Sequence, residues 1–373
     1  MKITKNNCTG CGACMISCPT GCISMRENKL SEIVPYINLE KCIACKKCVN
    51  TCPQNKQLSY STPYKCYVAW SKKSDDRIKS ASGGIATVMA RYQLENNNYF
   101  YGCDYDCNIN LKHFLVNSEK DISKIRGSKY SQSNSYDIYL DVKEKLKDGK
   151  VVFVGTPCQV AGLKSIIGKS NENLITVDLV CHGTPPNEYL KKHIHNLNIK
   201  KIDKILFRGE YDQKLTILEN ENIIYQKDKT KDTYFSAFYA NMISRNSCYD
   251  CKYAKGSRIS DITIADFWGL KKLNNIDKMS NRPSLILINT DRGLKYFNEI
   301  KQYLIYEKRD VQEGIKGNGR LNNPPGKNIK AKIFQFLYPI CGLDKSINFT
   351  NIIFNIYIHI KKLRARLQNL YSK

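Results

Sequence analysis

The chain has 373 residues, with 59 Lys or Arg against 34 Asp or Glu and a formal net charge of +25. That length gives material for roughly two or three domains and a large core. Seventeen cysteines exclude an ordinary cytosolic enzyme unless most of them are ligands, and disulfides would require secretion. Met1-Lys2-Ile3-Thr4-Lys5 carries no signal peptide, so the expected setting is a reducing cytoplasm, with the inner membrane face as a peripheral location. The basic excess favours an anionic partner: an acidic redox protein, an anionic lipid surface, or a phosphorylated substrate or cofactor. Part of it is lysine-rich drift. No nucleic-acid-binding motif accompanies it, and nucleic acid is not expected as a partner.

Two cysteine runs open the chain. Cys8, Cys11, Cys14 and Cys18 precede Pro19, and Cys42, Cys45, Cys48 and Cys52 precede Pro53, each run reading C-x2-C-x2-C-x3-C-P. Two-residue gaps let three sulfurs of one loop face inward, while the fourth corner of a 4Fe–4S cube needs a cysteine from the opposite run. The expected sets are Cys8, Cys11, Cys14 and Cys52 around one cube, and Cys42, Cys45, Cys48 and Cys18 around the other. Zinc is the rival, and two complete runs ending in Cys-Pro disfavour it. Residues 1–60 thus read as a bacterial-type two-cluster ferredoxin module, with Cys22 packed beside a cube.

A polar connector follows, and the pattern changes at Tyr64. Residues 64–148 and 149–312 are expected as two successive regions. In the first, Cys66–Trp70 reads as a strand, and Ser80-Ala81-Ser82-Gly83-Gly84 opens a helix over Ile85–Leu94. A small-residue turn feeding a helix N-terminus can cradle phosphate, or can simply cap the helix. Strands are expected at Tyr99–Cys103 and Phe114–Val116, with Cys103 and Cys107 as non-ligands. Gly127-Ser128-Lys129-Tyr130-Ser131 forms a loop before an amphipathic stretch, Tyr136–Leu146.

In the second region, Lys150–Val154 is a buried strand ending at Gly155-Thr156-Pro157-Cys158-Gln159, with a helix over Val160–Ile167. Leu174–Val180 is another strand, ending at Cys181-His182-Gly183-Thr184. Cys158 and Cys181 therefore fall at equivalent ends of neighbouring parallel strands, where α/β proteins place ligands. Beyond lie strands at Ile202–Arg208 and Leu215–Gln226, a helix at Thr233–Ser244, Cys248-x2-Cys251, a strand at Ser284–Asn289, a helix at Arg292–Tyr303 and a Gly/Asn/Pro loop at Gly314–Gly326. Residues 329–373 form a basic apolar tail, with Lys361, Lys362, Arg364 and Arg366 beside the apolar run Ile347–Ile360. This run is too short and too interrupted to span a membrane. It suits docking, a homo-oligomer contact or an interfacial helix.

Cys158, Cys181, Cys248 and Cys251 come from three separate segments and can close a third cube, with zinc as the alternative. Each alone reads as a buried apolar cysteine. Cys66 and Cys341 carry no assigned role.

Gly155–Leu163, Asp178–Gly183, Cys248 with Cys251, and Asp261–Gly269 resemble the family of coenzyme F420 hydrogenase and dehydrogenase β subunits, a likeness covering roughly residues 70–300. Ser82-Gly83-Gly84 and Gly127–Tyr130 resemble the same family's preceding region. Members are iron–sulfur flavoproteins, and some relatives with a ferredoxin module in front reduce chlorophyll intermediates. The resemblance implies an α/β fold (α+β overall), the ferredoxin module being followed by a larger mixed α/β flavin-binding domain. It also implies FAD, held by Ser82, Gly83, Gly84, Lys129, Tyr130, Gly155, Thr156 and Gln159, since no G-x-G-x-x-G fingerprint is present.

The expected function is a relay from a ferredoxin-like donor through the cubes to FAD and a small molecule, F420-like or other. His182 is expected either to donate a proton or to hydrogen-bond a cluster sulfur or a backbone carbonyl. Asp261 and Asp266 are expected as polar anchors. Two alternatives stand: a non-catalytic component delivering electrons to a partner enzyme, and a membrane-surface reductase in cell-envelope polysaccharide or lipid metabolism.

Overall fold

The computed structural model describes residues 3–4, 7–168, 171–209, 212–270 and 282–371. The sequence repeat of the first 60 residues is a structural repeat. Each cysteine run leads into a short helix, Ala13–Ile16 or Lys47–Thr51, and an antiparallel hairpin of β1 (Ile23–Glu27) and β2 (Ile33–Ile37) lies between the runs. Equivalent positions of the two loops take positive φ: Gly10 and Gly12 at 69° and 70°, Ala44 and Lys46 at 53° and 59°. Left-handed residues turn the backbone around a central object, and glycine does this without steric cost. The difference in residue type follows the surroundings. A side chain at Gly12 would stand 2.3 Å from the Tyr136 ring, whereas Ala44 and Lys46 face solvent.

An eight-stranded mixed sheet forms the main body, in the order β13-β3-β12-β11-β7-β6-β4-β5. Its strands are β3 (Lys65–Ser71), β4 (Tyr99–Tyr105), β5 (Leu111–Leu115), β6 (Val151–Gly155), β7 (Leu174–Leu179), β11 (Ile262–Asp266), β12 (Ser284–Ile288) and β13 (Leu304–Arg309). The central run β4-β6-β7-β11 is parallel and antiparallel strands flank it. Near-continuous apolar runs such as Val151-Val152-Phe153-Val154 suit strands covered on both faces. The sheet takes strands from both 64–148 and 149–312. Val154 pairs with Val177 and Gly155 with Asp178, so Thr156 and Val180 leave adjacent strands at one edge.

A second sheet, antiparallel, is built of β8 (Lys204–Leu206), β9 (Lys214–Glu219) and β10 (Asn222–Asp228). Its core includes Phe207, Ile217, Tyr234 and Phe235, together with Phe334, Tyr338, Leu343 and Ile347 from the two C-terminal helices, Ile329–Cys341 and Leu343–Tyr371. The start of the tail is thus docked on the body. The Arg366 side chain and the last two residues lie outside the described part.

The expected loop at Gly314–Gly326 begins instead as helix, Val311–Gly317, followed by a short 3-10 turn at Gly319–Leu321. Asp310 caps that helix through the amides of Gln312 and Glu313, a local signal outweighing the glycines. The helix expected from Val160 starts earlier, at Pro157, with a capping box between Thr156 and Gln159.

Buried His193 fastens the last helix. Its Nε2 lies 2.9 Å from Asp232 and its Nδ1 3.2 Å from Asp344. Burial lowers the affinity of His193 for its proton, but hydrogen bonds and charge from both carboxylates outweigh this and raise the pKa from 6.5 to about 9. A raised histidine pKa stabilises the fold fully below the unfolded value and loses that contribution as pH rises through the folded one. His193→Gln is therefore expected to lower stability by on the order of 2 kcal/mol near pH 6, with a difference that shrinks above pH 9. Urea melts at the two pH values check this.

Candidate functional site

The first cysteine loop rests against the body. Gln132 donates to the Thr9 carbonyl at 2.9 Å, and Arg245 donates to the carbonyls of Cys8 and Ile33, both at 3.0 Å. Arg245 is only 1% exposed, and it also donates to Gln132 at 2.6 Å. Such a buried cation needs several acceptors, and here they come from the module and the body together. Tyr189 donates to the Leu30 carbonyl at 2.8 Å, and Lys252 donates to the Pro53 carbonyl.

The cysteines fall into three groups. Burial raises the Cys14 thiol pKa, followed by its neighbours Cys11, Cys8 and Cys52. Burial, with Cys8 and Cys52, likewise raises Cys11 to about 12. Cys18, Cys22, Cys42, Cys45 and Cys48 surround a second small hollow. There Cys22 sits 3.4 Å from Cys18, as a packed neighbour. Burial raises Cys18, but hydrogen bonds with Thr20 and Cys22 outweigh it and leave the thiol at about 7.

The third group is Cys158, Cys181, Cys248 and Cys251. Burial drives Cys181 well above its ordinary value, followed by the charges of Cys248, Cys158 and Cys251. Cys158 rises to about 12 through burial, with Cys251, Cys248 and Cys11 adding to it. Thiols this costly to ionise alone are suited to a cationic metal core that supplies the missing charge. Among the described residues no three His, Cys, Asp or Glu side chains form a set able to hold a single metal ion.

Cys11 of the first group lies within electrostatic reach of Cys158, and both act on Tyr139 and Tyr253. The first and third groups are therefore neighbours. Burial differs sharply along the line: Cys45 is exposed at the outer end, beside exposed Ile43, Lys41, Lys46 and Lys47, whereas Cys8 and Cys11 face the body.

Cys181 also lines a cavity of about 570 Å³ beyond the carboxyl ends of β6, β7 and β11. This is where ligands bind in such sheets, and the volume falls within the usual range of roughly 300–1,000 Å³. Arg126, Lys129, Arg208, Lys229 and Arg320 line it against a single carboxylate, Asp266. At one side the helix Ile85–Glu95 begins with Gly84 at φ 80° and no side-chain cap, presenting its first turn to the cavity. An uncapped N-terminus attracts anions. His182 lines the cavity too. Burial lowers its pKa, as do the Arg320 and Arg208 charges, while Asp266 opposes them.

Of the residues the sequence assigns to a flavin, Ser82, Gly84, Lys129, Tyr130, Gly155, Thr156 and Gln159 line this cavity. Gly83 does not. Its amide donates to Ser284 Oγ at 2.9 Å, and a Cβ there would stand 2.4 Å from the Ala69 carbonyl, so it serves close packing. Gln159 accepts from the Thr156 amide at 2.9 Å and donates to Ser133, which turns it to the helix cap rather than a ring edge. The Lys129 ammonium donates to the carbonyls of Lys124 and Arg126 at 2.7 and 2.9 Å.

Asp261 accepts from Thr176, Thr290 and Arg292 as a buried anchor. Asp266 pairs with Arg208 at 2.7 Å within the cavity. Sequence reasoning missed Arg208, Arg245 and Arg320. Arg208 at the end of a short apolar strand and Arg245 just before Cys248-x2-Cys251 were the available signals; Arg320 had none.

Comparison with known proteins bears on these groups. Residues 148–313 match the family described as the C terminus of the beta subunit of coenzyme F420 hydrogenase/dehydrogenase, and residues 7–56 match "4Fe-4S dicluster domain". The chain joins a 4Fe–4S dicluster domain to the C-terminal domain of F420 hydrogenase/dehydrogenase β subunits. The dicluster domain makes it an iron–sulfur protein, and the second domain places it among oxidoreductases. It is 22% identical over 341 residues to the F-type component of the F420H2 dehydrogenase of Methanosarcina mazei, covering 86% of this chain and 89% of that one. A 170-residue stretch is 28% identical to the coenzyme F420-dependent sulfite reductase of Methanocaldococcus jannaschii, covering 43% of this chain and 25% of that protein. Among solved structures, a chain of the F420-reducing [NiFe] hydrogenase complex from Methanosarcina barkeri aligns with a TM-score of 0.46 and 17% identity, over 80% of this chain and 94% of its own.

Proposed function

We propose that the protein is an iron–sulfur flavoprotein oxidoreductase, taking electrons from an acidic ferredoxin-like protein and delivering them to a small molecule, F420-like or other. The observation that carries this reading is the position of Cys181. It belongs to the third cysteine group, which neighbours Cys11, and it also lines the cavity. Cys8, Cys11, Cys14 and Cys52 would hold one cube, Cys42, Cys45, Cys48 and Cys18 a second, and Cys158, Cys181, Cys248 and Cys251 a third. The cavity fits FAD through its volume, its basic lining and the uncapped helix N-terminus at Gly84. Cubes carry single electrons, and a flavin converts them to hydride chemistry.

The chain's own residues do the positioning. Gly84, Ile85 and Ala86 offer a helix N-terminus to a pyrophosphate, and Arg320 offers a cation beside Cys181 and His182. Arg208, held between Asp266 and Tyr130, fixes the opposite wall. His182, kept neutral by burial and by these arginines, can donate one N–H bond and pass a proton without carrying charge. Exposed Lys41, Lys46 and Lys47 around Cys45 suit an acidic donor protein at the outer end.

A second reading is favoured by the names of the relatives, several of which are subunits of larger dehydrogenases or hydrogenases. In it the chain passes electrons to a partner enzyme and performs no reduction itself. Flavin release tests the first reading. Protein purified without oxygen and then acid-denatured is expected to release about one FAD per chain. Protein that neither releases a flavin nor takes up added FAD would leave only the delivery role.

A further inference from the structure

The last helix, Leu343–Tyr371, has two unlike faces. Near its start Ile347 and Thr350 are buried, and Asp344 is held by His193 and Asn196, so the base of the helix is fixed to the body. Further along, Ile352, Ile353, Ile356, Tyr357, Ile360 and Leu363 are each 42–55% exposed. At about 100° per residue these six fall within one arc of about 140°, a continuous apolar stripe pointing away from the packed face. Phe336 and Ile340 on the preceding helix add two more large side chains, 72% and 71% exposed. Exposed apolar surface of this extent marks an interaction site.

Charge indicates what covers it. From Lys345 to the end of the sequence there is no Asp or Glu, and exposed Lys361, Lys362 and Arg364 sit beside the stripe. A second copy of the same helix would bring these cations together without a carboxylate to answer them. An anionic lipid surface accepts both features at once, the apolar stripe among the acyl chains and the cations at the headgroups. Among the described residues no helix is long and apolar enough to cross a membrane.

We propose that the exposed stripe of this helix lies in the surface of an anionic membrane and holds the protein there. The proposal is independent of the flavin and the third cube. Co-sedimentation of the cluster-loaded full chain with vesicles tests it. Binding to phosphatidylcholine vesicles containing phosphatidylglycerol is expected to exceed binding to phosphatidylcholine alone by at least about tenfold, and to weaken with salt. Ile352→Asn with Ile356→Asn and Ile360→Asn is expected to abolish binding, and so is Lys361→Glu with Lys362→Glu and Arg364→Glu. Lys120→Glu with Lys143→Glu and Lys147→Glu makes the same charge change elsewhere on the surface and is expected to leave binding intact.

Three results would overturn the proposal. The wild-type chain could stay in the supernatant with anionic vesicles. The asparagine variant could bind as tightly as the wild type, which would mean charge adsorption only. Sedimentation without lipid could reveal a dimer that the asparagine variant abolishes, assigning the stripe to a second copy.

Discussion

Replacing Cys158 with alanine is expected to remove about four of roughly twelve irons and leave the N-terminal cubes in place. Cys158 lies in the first turn of the helix Pro157–Ile167, in reach of Cys181, Cys248 and Cys251 on one side and Cys11 on the other. Its hydroxyl neighbour Thr156 stands 3.2 Å from the sulfur and also caps the helix, so the helix itself survives the change. Loss of one corner removes a thiolate that no adjacent cysteine replaces, since Cys11 belongs to the first set. Low-temperature electron paramagnetic resonance of the reduced variant should retain the signals of the first two cubes. A variant that keeps its full iron content would assign Cys158 to packing.

Gly162 is the second position where a single change should have a large effect. In a helix interior, glycine to a larger residue normally gains up to about 1 kcal/mol. Here a Cβ would stand 2.8 Å from the Tyr139 hydroxyl, 2.9 Å from Cys11 Cβ and 3.3 Å from its sulfur. Tyr139 is itself fixed, donating to the Gln159 carbonyl at 3.1 Å, so it cannot easily yield. Sterics therefore outweigh propensity. Gly162→Leu is expected to cost about 1–3 kcal/mol and to lift the ferredoxin module from the helix. Its irons should remain bound, while electrons supplied at the outer end no longer reach the cavity. Stopped-flow reduction would show fast bleaching of the first two cubes and a lost slower phase. Unchanged kinetics would mean that the module and the helix are not in electronic contact at this glycine.

Much of this arrangement is legible in the sequence because it depends on local spacing. Two C-x2-C-x2-C-x3-C-P runs specify their own loops, and the strand–turn pattern places Cys158 and Cys181 at adjacent strand ends. What spacing cannot supply is the partner of a polar group far away in the chain. Gly83 reads as a phosphate turn until Ser284, some 200 residues on, takes its amide. Gln159 looks free until Ser133 and its own helix cap claim it. Arg245 carries no motif, yet its guanidinium joins Cys8, Ile33 and Gln132 across the domain boundary. Arg320 enters the cavity from a stretch whose glycines suggest only a loop.

The central claim is that twelve cysteines hold three cubes leading from the exposed Cys45 loop to the cavity. Iron and acid-labile sulfide, measured on wild-type protein purified without oxygen, test it most directly. About twelve of each per chain is the expected result, and about eight would contradict it.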